Sequence, residues 1–195
     1  MSEPALALRG LAKSFGGARA LDGVDLTVGA REIHGLLGHN GSGKSTLVKI
    51  LSGYHAPDAG AGLHLHGEAL RLPLSHAEQR ARGLAFVHQN LGLAPQISVL
   101  ENMRIVEITA ARRPWIDWRA QRRAALASLQ QFGLAIDADQ PVSTLSPVER
   151  ALVAIVRAFV AIDSTRSGRQ LHGLLAVSYT HLRAHETKAN LVCRL

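Results

Sequence analysis

Cysteine is nearly missing from this 195-residue chain: the single one is Cys193, at the extreme end. No disulfide framework can therefore form within one copy. Aromatic rings are scarce as well, at 4% of residues. A nucleic-acid binder would show a basic stripe with aromatics interleaved. Here the 22 basic residues, 18 of them arginine, are scattered, and no nucleic-acid partner is expected. The net charge of +7 reads as a solvated surface with a possible contact to acidic partners. No apolar run reaches the ~20 residues that span a bilayer. The longest candidate, residues 151–162, carries Arg157 in its middle. The opening Met1-Ser2-Glu3-Pro4 has no basic segment leading into an apolar one, so no signal peptide is visible. These absences lead to an expected location in the cytoplasm or on the cytoplasmic face of a membrane.

What is present is enough apolar residue, 47%, for a sizeable core, and a length that suits one domain. Residues 38–46 read Gly-His-Asn-Gly-Ser-Gly-Lys-Ser-Thr, the spacing GxxxxGK[ST]. The apolar run Ile33–Leu37 before it predicts a strand, and Leu47–Leu51 after it predicts a helix stopped by Gly53. Strand, glycine loop and helix is the order that phosphate binding requires. Glycines let several backbone N–H groups turn toward one phosphate, and the helix start adds the positive end of its dipole. In that geometry Lys44 reaches the β- and γ-phosphates and Ser45 holds Mg²⁺. Gly38, Asn40, Gly41, Ser42, Gly43, Lys44, Ser45 and Thr46 are thus the candidate phosphate-binding residues.

Around this loop, Ala5–Leu8, Val24–Val28, Leu63–His66 and Gly83–His88 predict strands, with turns at Gly16-Gly17, Gly29-Ala30, residues 56–60 and Gly67. Three helix starts are legible. Ser98-Val99-Leu100-Glu101 is a capping box, Asp117 caps a helix running through Phe132 to Gly133, and Ser146-Pro147-Val148-Glu149 is a second capping box with Pro in the first turn. In the last helix Leu152, Ile155, Val156, Phe159 and Val160 form the expected buried stripe. Residues 163–172 read as a polar loop, and Gly173-Leu174-Leu175-Ala176 begins another strand.

The tail is unusual. Residues 177–187, Val-Ser-Tyr-Thr-His-Leu-Arg-Ala-His-Glu-Thr, resemble one reading frame of a sequencing-library adapter. Leu191–Leu195 resembles its far part, and Lys188-Ala189-Asn190 falls where a variable index would be translated. Residues 177–195 are therefore expected to be an artefactual tail and are set aside from fold reasoning. His181 and His185 have i, i+4 spacing but no assembled ligand set, so no metal reading follows.

Further residues extend the pattern. Gln89 ends the strand that closes in Val87-His88, 45 residues after Lys44, and can ligate Mg²⁺ or a water. Thr144-Leu145-Ser146 opens the last capped helix, whose N-terminus is a second potential anion site. With these residues in view, the chain resembles the nucleotide-binding subunit of ATP-binding cassette (ABC) transporters over residues 5–175. Glu32–Gly38, Leu51–Tyr54 and Val87–Gln89 make it most similar to the first cassette of bacterial monosaccharide importers of the ribose, xylose or galactose type.

The resemblance implies an α/β P-loop NTPase fold: a mixed sheet, an antiparallel β part near the N-terminus, and a helical insert at about 98–145. The partial ATP-binding domain would occupy 5–176 and stop before the Asp-Glu end of its next strand. Phe15 would stack on adenine, the alternative being an ordinary core or strand-edge Phe. Gln89 would link the nucleotide site to the membrane subunits, and Ser146 would touch the γ-phosphate held by an opposite cassette. The implied ligands are ATP and Mg²⁺. The implied partners are membrane-spanning permease subunits, an extracellular or periplasmic sugar-binding protein, and a second cassette or second copy. Two departures stand out. Pro147 and Val148 replace the glycines that follow the family's serine, and Pro removes a backbone N–H. No carboxylate appears after Leu175 before Glu186, so binding without turnover is expected of this chain. A soluble P-loop kinase and a cassette protein outside transport are the alternatives.

Overall fold

The computed structural model describes residues 3–30, 32–88, 90–110, 115–163, 174–178 and 190–194. The chain forms two compact units, Met1–Gln89 with Thr165–Leu195, and Asn90–Ser164. Length alone suits one domain; the division follows from two separate apolar clusters, one in each unit.

In the first unit, β1 (Leu6–Phe15) and β2 (Ala18–Val28) form a hairpin closed by Gly16-Gly17. Both glycines have positive φ, 52° and 86°, as a two-residue turn of this hand requires. β1 runs well past the expected Leu8 because Gly10, at φ 58°, shifts the register between Leu8 and Leu11 and pairing resumes beyond it. β4 (Gly62–Leu65) pairs with the other edge of β1, and β5 (Glu68–Leu70) pairs with β4. The order is β2-β1-β4-β5, antiparallel throughout. In this sheet Leu6, Leu8, Leu11, Val28 and Leu63 are fully buried. A short helix, α2 (His76–Ala81), was not expected. Its start carries the same S-x-x-E signal as the others: Ser75 Oγ accepts from Glu78 N–H, and the Glu78 carboxylate accepts from Ser75 N–H.

The second sheet of this unit has the order β3-β8-β7-β6, built from β3 (Ile33–Leu36), β8 (Asn190–Arg194), β7 (Leu174–Ser178) and β6 (Leu84–Val87). β6 and β7 are parallel, while β8 is antiparallel to both β7 and β3. The sheet is mixed, as expected, but its antiparallel member comes from the segment set aside in the sequence. Backbone N–H and C=O groups pair whatever the side chains are, and the edges of β3 and β7 both carry such groups. Residues 179–189 are too short a link for a crossover to a parallel strand, so β8 returns antiparallel.

The second unit is helical: α3 (Val99–Ala110), α4 (Trp118–Gln131) and α5 (Pro147–Asp163), with a 3₁₀ turn at Val142–Thr144. All three predicted helix starts are present. Glu101 N–H donates to Ser98 Oγ at 3.1 Å, Ala120 N–H donates to Asp117 Oδ1 at 3.0 Å, and Glu149 N–H donates to Ser146 Oγ at 3.2 Å. The buried face of α5 differs from expectation. Ala151, Val153, Ala154, Val156 and Ile162 are buried, whereas Leu152, Ile155, Phe159 and Val160 are only half-buried. Phe159 meets Phe132 edge-on at 4.8 Å instead. A helix covered on more than one side does not concentrate burial in a single stripe. The segment between β6 and α3 is fastened from within the unit. Arg157 donates to Leu91 O (2.6 Å) and Gly92 O (2.8 Å), and buried Asn102 exchanges hydrogen bonds with Ala94.

Candidate functional site: a glycine loop at a helix start

β3 leads through Leu37 into residues 38–43, and α1 (Lys44–Leu51) begins at once. Gly41 and Gly43 both have φ 86°, a left-handed conformation that side chains disfavour. At Gly43 glycine is required twice over. A Cβ there would lie 2.6 Å from both Ala20 O and a Leu21 methyl, on β2. The loop thus hugs the sheet. No side chain caps the start of α1, and no acidic residue lies in its first turn. The first-turn donors and the positive end of the dipole are left for an anion.

Lys44 is 7% exposed despite its charge. Its ammonium donates to Gly38 O (2.5 Å), His39 O (2.7 Å) and Ser42 Oγ (3.0 Å). The loop therefore wraps its own cation with oxygen atoms, and a phosphate would offer the same cation stronger, charged acceptors. Ser45 is exposed on the first turn and Thr46 is half-buried. Asn40 is exposed, and its carbonyl oxygen lies 2.9 Å from His39 Nδ1. At its other end α1 closes as predicted: Gly53 N–H donates to Ile50 O and Tyr54 N–H to Lys49 O, with Gly53 at φ 73°. A Cβ on Gly53 would meet Leu74 O at 2.2 Å, so this stop also needs glycine.

Phe15 is 42% exposed at the tip of β1, paired in register with Ala18. Ala20 and Leu21, which contact Gly43, lie two and three residues further along β2. Residues 38–46 thus pack, at Gly43, against the hairpin whose tip carries Phe15. Sequence reasoning missed the neighbours of that ring. His55 packs edge-on at 5.0 Å between centroids, Tyr54 packs on His55 at 4.9 Å, and Lys13 Nζ sits over Phe15 at 5.2 Å. The string Gly53-Tyr54-His55 held the rings in view, but not their closeness to residue 15.

Gln89 lies outside the described residues. Just before it, His88 stacks on Phe86, and burial, aided by the nearby charges of His76 and Lys49, pushes its imidazole down from the ordinary value. Ser146, in the second unit, is engaged locally. Its N–H donates to Glu149 Oε2 at 2.8 Å and its hydroxyl accepts from Glu149 N–H. Hydrogen bonds from the Ser146 hydroxyl and, less strongly, from its N–H hold the Glu149 carboxyl below its usual range, so a negative charge stands at this helix start. Among the described residues no group of His, Cys, Asp and Glu is assembled to hold a metal, and no helix is long and apolar enough to cross a membrane.

Comparison with known proteins agrees with this geometry. The chain is 43% identical over 162 residues to the ribose import ATP-binding protein RbsA 2 of Rubrobacter xylanophilus, covering 80% of this chain and 30% of that protein. It is 42% identical over 157 residues to the arabinose import ATP-binding protein AraG 2 of Burkholderia cenocepacia, with 80% and 30% covered. The chain therefore spans about three-tenths of the length of these relatives. Among solved structures, an ATP-binding cassette of an ABC transporter in its ADP conformation superposes with a TM-score of 0.67 at 26% identity, covering 81% of this chain and 65% of that one. The profile of the ABC transporter family matches residues 21–163, and the chain belongs to that family.

Proposed function

We propose that this chain binds MgATP through residues 38–46 and that it represents the nucleotide-binding part of an importer for a monosaccharide. The observation that carries the reading is the start of α1: an uncapped helix N-terminus behind left-handed glycines, with the Lys44 ammonium held among loop oxygens. The backbone N–H groups of Gly41 to Thr46 would surround the phosphates, and Lys44 would leave its carbonyl partners for the phosphate oxygens. Ser45 would hold Mg²⁺ together with those oxygens and with Gln89. Such shared coordination suits Mg²⁺, which is commonly bound by few protein ligands plus substrate phosphates. Bound Mg²⁺ supplies charge neutralisation at the phosphate oxygens.

The sugar assignment rests on the relatives, which are named for import of ribose and arabinose. In that role the partners are membrane-spanning permease subunits and a sugar-binding protein outside the membrane. A second cassette or a second copy of this chain would pair with it, and the chain would sit peripherally on the cytoplasmic face. Ser146 could contact a phosphate from such a partner only after its capping box with Glu149 opens. We further propose that the domain occupies residues 5–176, with its helical insert at about 98–145, and that residues 177–195 are extraneous in origin. β7 is followed by Tyr179-Thr180-His181, and no carboxylate lies between Leu174 and Glu186. Without an acid to orient water, this chain binds ATP and does not turn it over.

The test is calorimetric titration of the chain with MgATP beside its Lys44→Ala variant, with phosphate release followed in parallel. Saturable binding lost in the variant, without release of phosphate, is expected. Unchanged affinity in Lys44→Ala would sink the phosphate-loop assignment, and steady phosphate release would sink the claim of no turnover.

A further inference from the structure

We propose that His55 and Lys13 are positioning residues that hold the Phe15 ring as a platform for the base of a nucleotide. This rests on the reading of residues 38–46 as a nucleotide site and of Phe15 as the ring that stacks on its base.

Phe15 stands at a hairpin tip with 42% of its surface exposed. An aromatic at such a tip, followed by two glycines, would ordinarily sample several rotamers. Here it is braced twice. His55 meets it at 5.0 Å with an interplanar angle of 67°, a preferred edge-on geometry. Lys13 places its ammonium over the ring at 5.2 Å. Neither brace is loose. Lys13 is 18% exposed and pairs with Asp58 at 3.8 Å, and Asp58 N–H donates to Ala12 O at 2.9 Å. The loop that carries His55 is thereby strapped to β1. His55 is backed in turn by Tyr54 at 4.9 Å, and the N–H groups of both residues donate to Lys49 O, at 3.2 and 2.8 Å.

That last contact ties the brace to the phosphate loop. Lys49 is in the final turn of α1, the helix that begins at Lys44. One end of α1 seats Gly43 against Ala20 and Leu21, and the other end holds His55 against Phe15. Phe15 pairs with Ala18, and Ala20 lies two residues on, roughly 7 Å along the strand. Ring and loop are therefore both tied to α1. A ring already held in place loses less freedom when a base stacks on it, so the brace strengthens base-dependent binding without touching the ligand.

The test compares MgATP with inorganic tripolyphosphate plus Mg²⁺, by calorimetry on the whole chain and on His55→Ala, His55→Phe and Lys13→Met, with thermal unfolding of each. His55→Ala should weaken ATP binding roughly 2- to 12-fold, the range for loss of one aromatic pair, while tripolyphosphate affinity stays unchanged. His55→Phe should restore ATP affinity. Lys13→Met should lose affinity for ATP alone, and it carries the test if His55→Ala folds poorly. The proposal is overturned if both ligands weaken together, if ATP affinity ignores His55 and Lys13, or if the unaltered chain binds tripolyphosphate as tightly as ATP. In that last case the phosphate-loop reading stands. A chain that binds neither ligand overturns both.

Discussion

The starts of α1 and α5 have the same local ingredients, a serine-bearing turn leading into an apolar helix, yet they meet the needs of a helix N-terminus in opposite ways. At α1 no side chain caps the helix and no acid sits in the first turn. At α5 Ser146 and Glu149 satisfy each other's backbone groups, Pro147 removes a donor, and Glu149 adds a negative charge. A capped start is closed to anions, because its donors are already used and its carboxylate repels. An uncapped start keeps its donors for a ligand and forgoes the stability a cap would provide. The difference separates a helix start left uncapped from one whose backbone groups are already paired, and both are candidate phosphate contacts in the sequence.

The strongest way to break this contrast is Gly43→Ala. The new methyl would clash with Ala20 O and Leu21 and force a non-glycine residue to φ 86°. A cost of about 2–4 kcal/mol is expected from strain and overpacking together, with ATP binding lost, as denaturant unfolding and titration would measure. Preserved stability and binding would show that the loop does not hug the sheet. Next in size is the ligand effect. MgATP at a hundred times its dissociation constant should stabilise the chain by about 2.7 kcal/mol. That shift in thermal unfolding should vanish in Lys44→Ala and persist in Ser146→Ala. Loss of the shift in Ser146→Ala would mean that the second helix start also binds nucleotide.

Ser146→Ala itself should cost about 1 kcal/mol of stability, the usual worth of an N-cap, measured by denaturant unfolding without nucleotide. The smallest effect is that of pH. Hydrogen bonds from Ser75, Ser98 and Ser146 lower the carboxyls of Glu78, Glu101 and Glu149. A carboxyl lowered in the folded state binds protons more readily when unfolded, so its contribution is full above the ordinary glutamate value. It fades as pH falls through the lowered folded value. Thermal stability should therefore decline below about pH 4.5, and Glu149→Gln should flatten part of that decline. A slope that ignores Glu149 would argue against its cap.

Much of this was legible because it is local. The glycine loop, all three predicted helix starts and the Gly53 stop each depend on residues within a few positions of one another. The Ser75–Glu78 box is equally local but announces only a six-residue helix with little apolar period, so periodicity does not reveal it. The buried stripe of α5 was misjudged for a different reason. Periodicity gives the phase of an apolar face but not how many partners cover the helix, and Val153 and Ala154 are buried outside the expected stripe.

The sequence by itself determined the glycine loop, because nine consecutive residues specify backbone turns, a cation and a helix start. Tertiary structure alone decided what braces Phe15 and which strand lies between β3 and β7. Those outcomes join residues as far apart as 15 and 55, or 33 and 193. Contacts across such separations depend on chain closure and on competition among many surfaces, which no local pattern records.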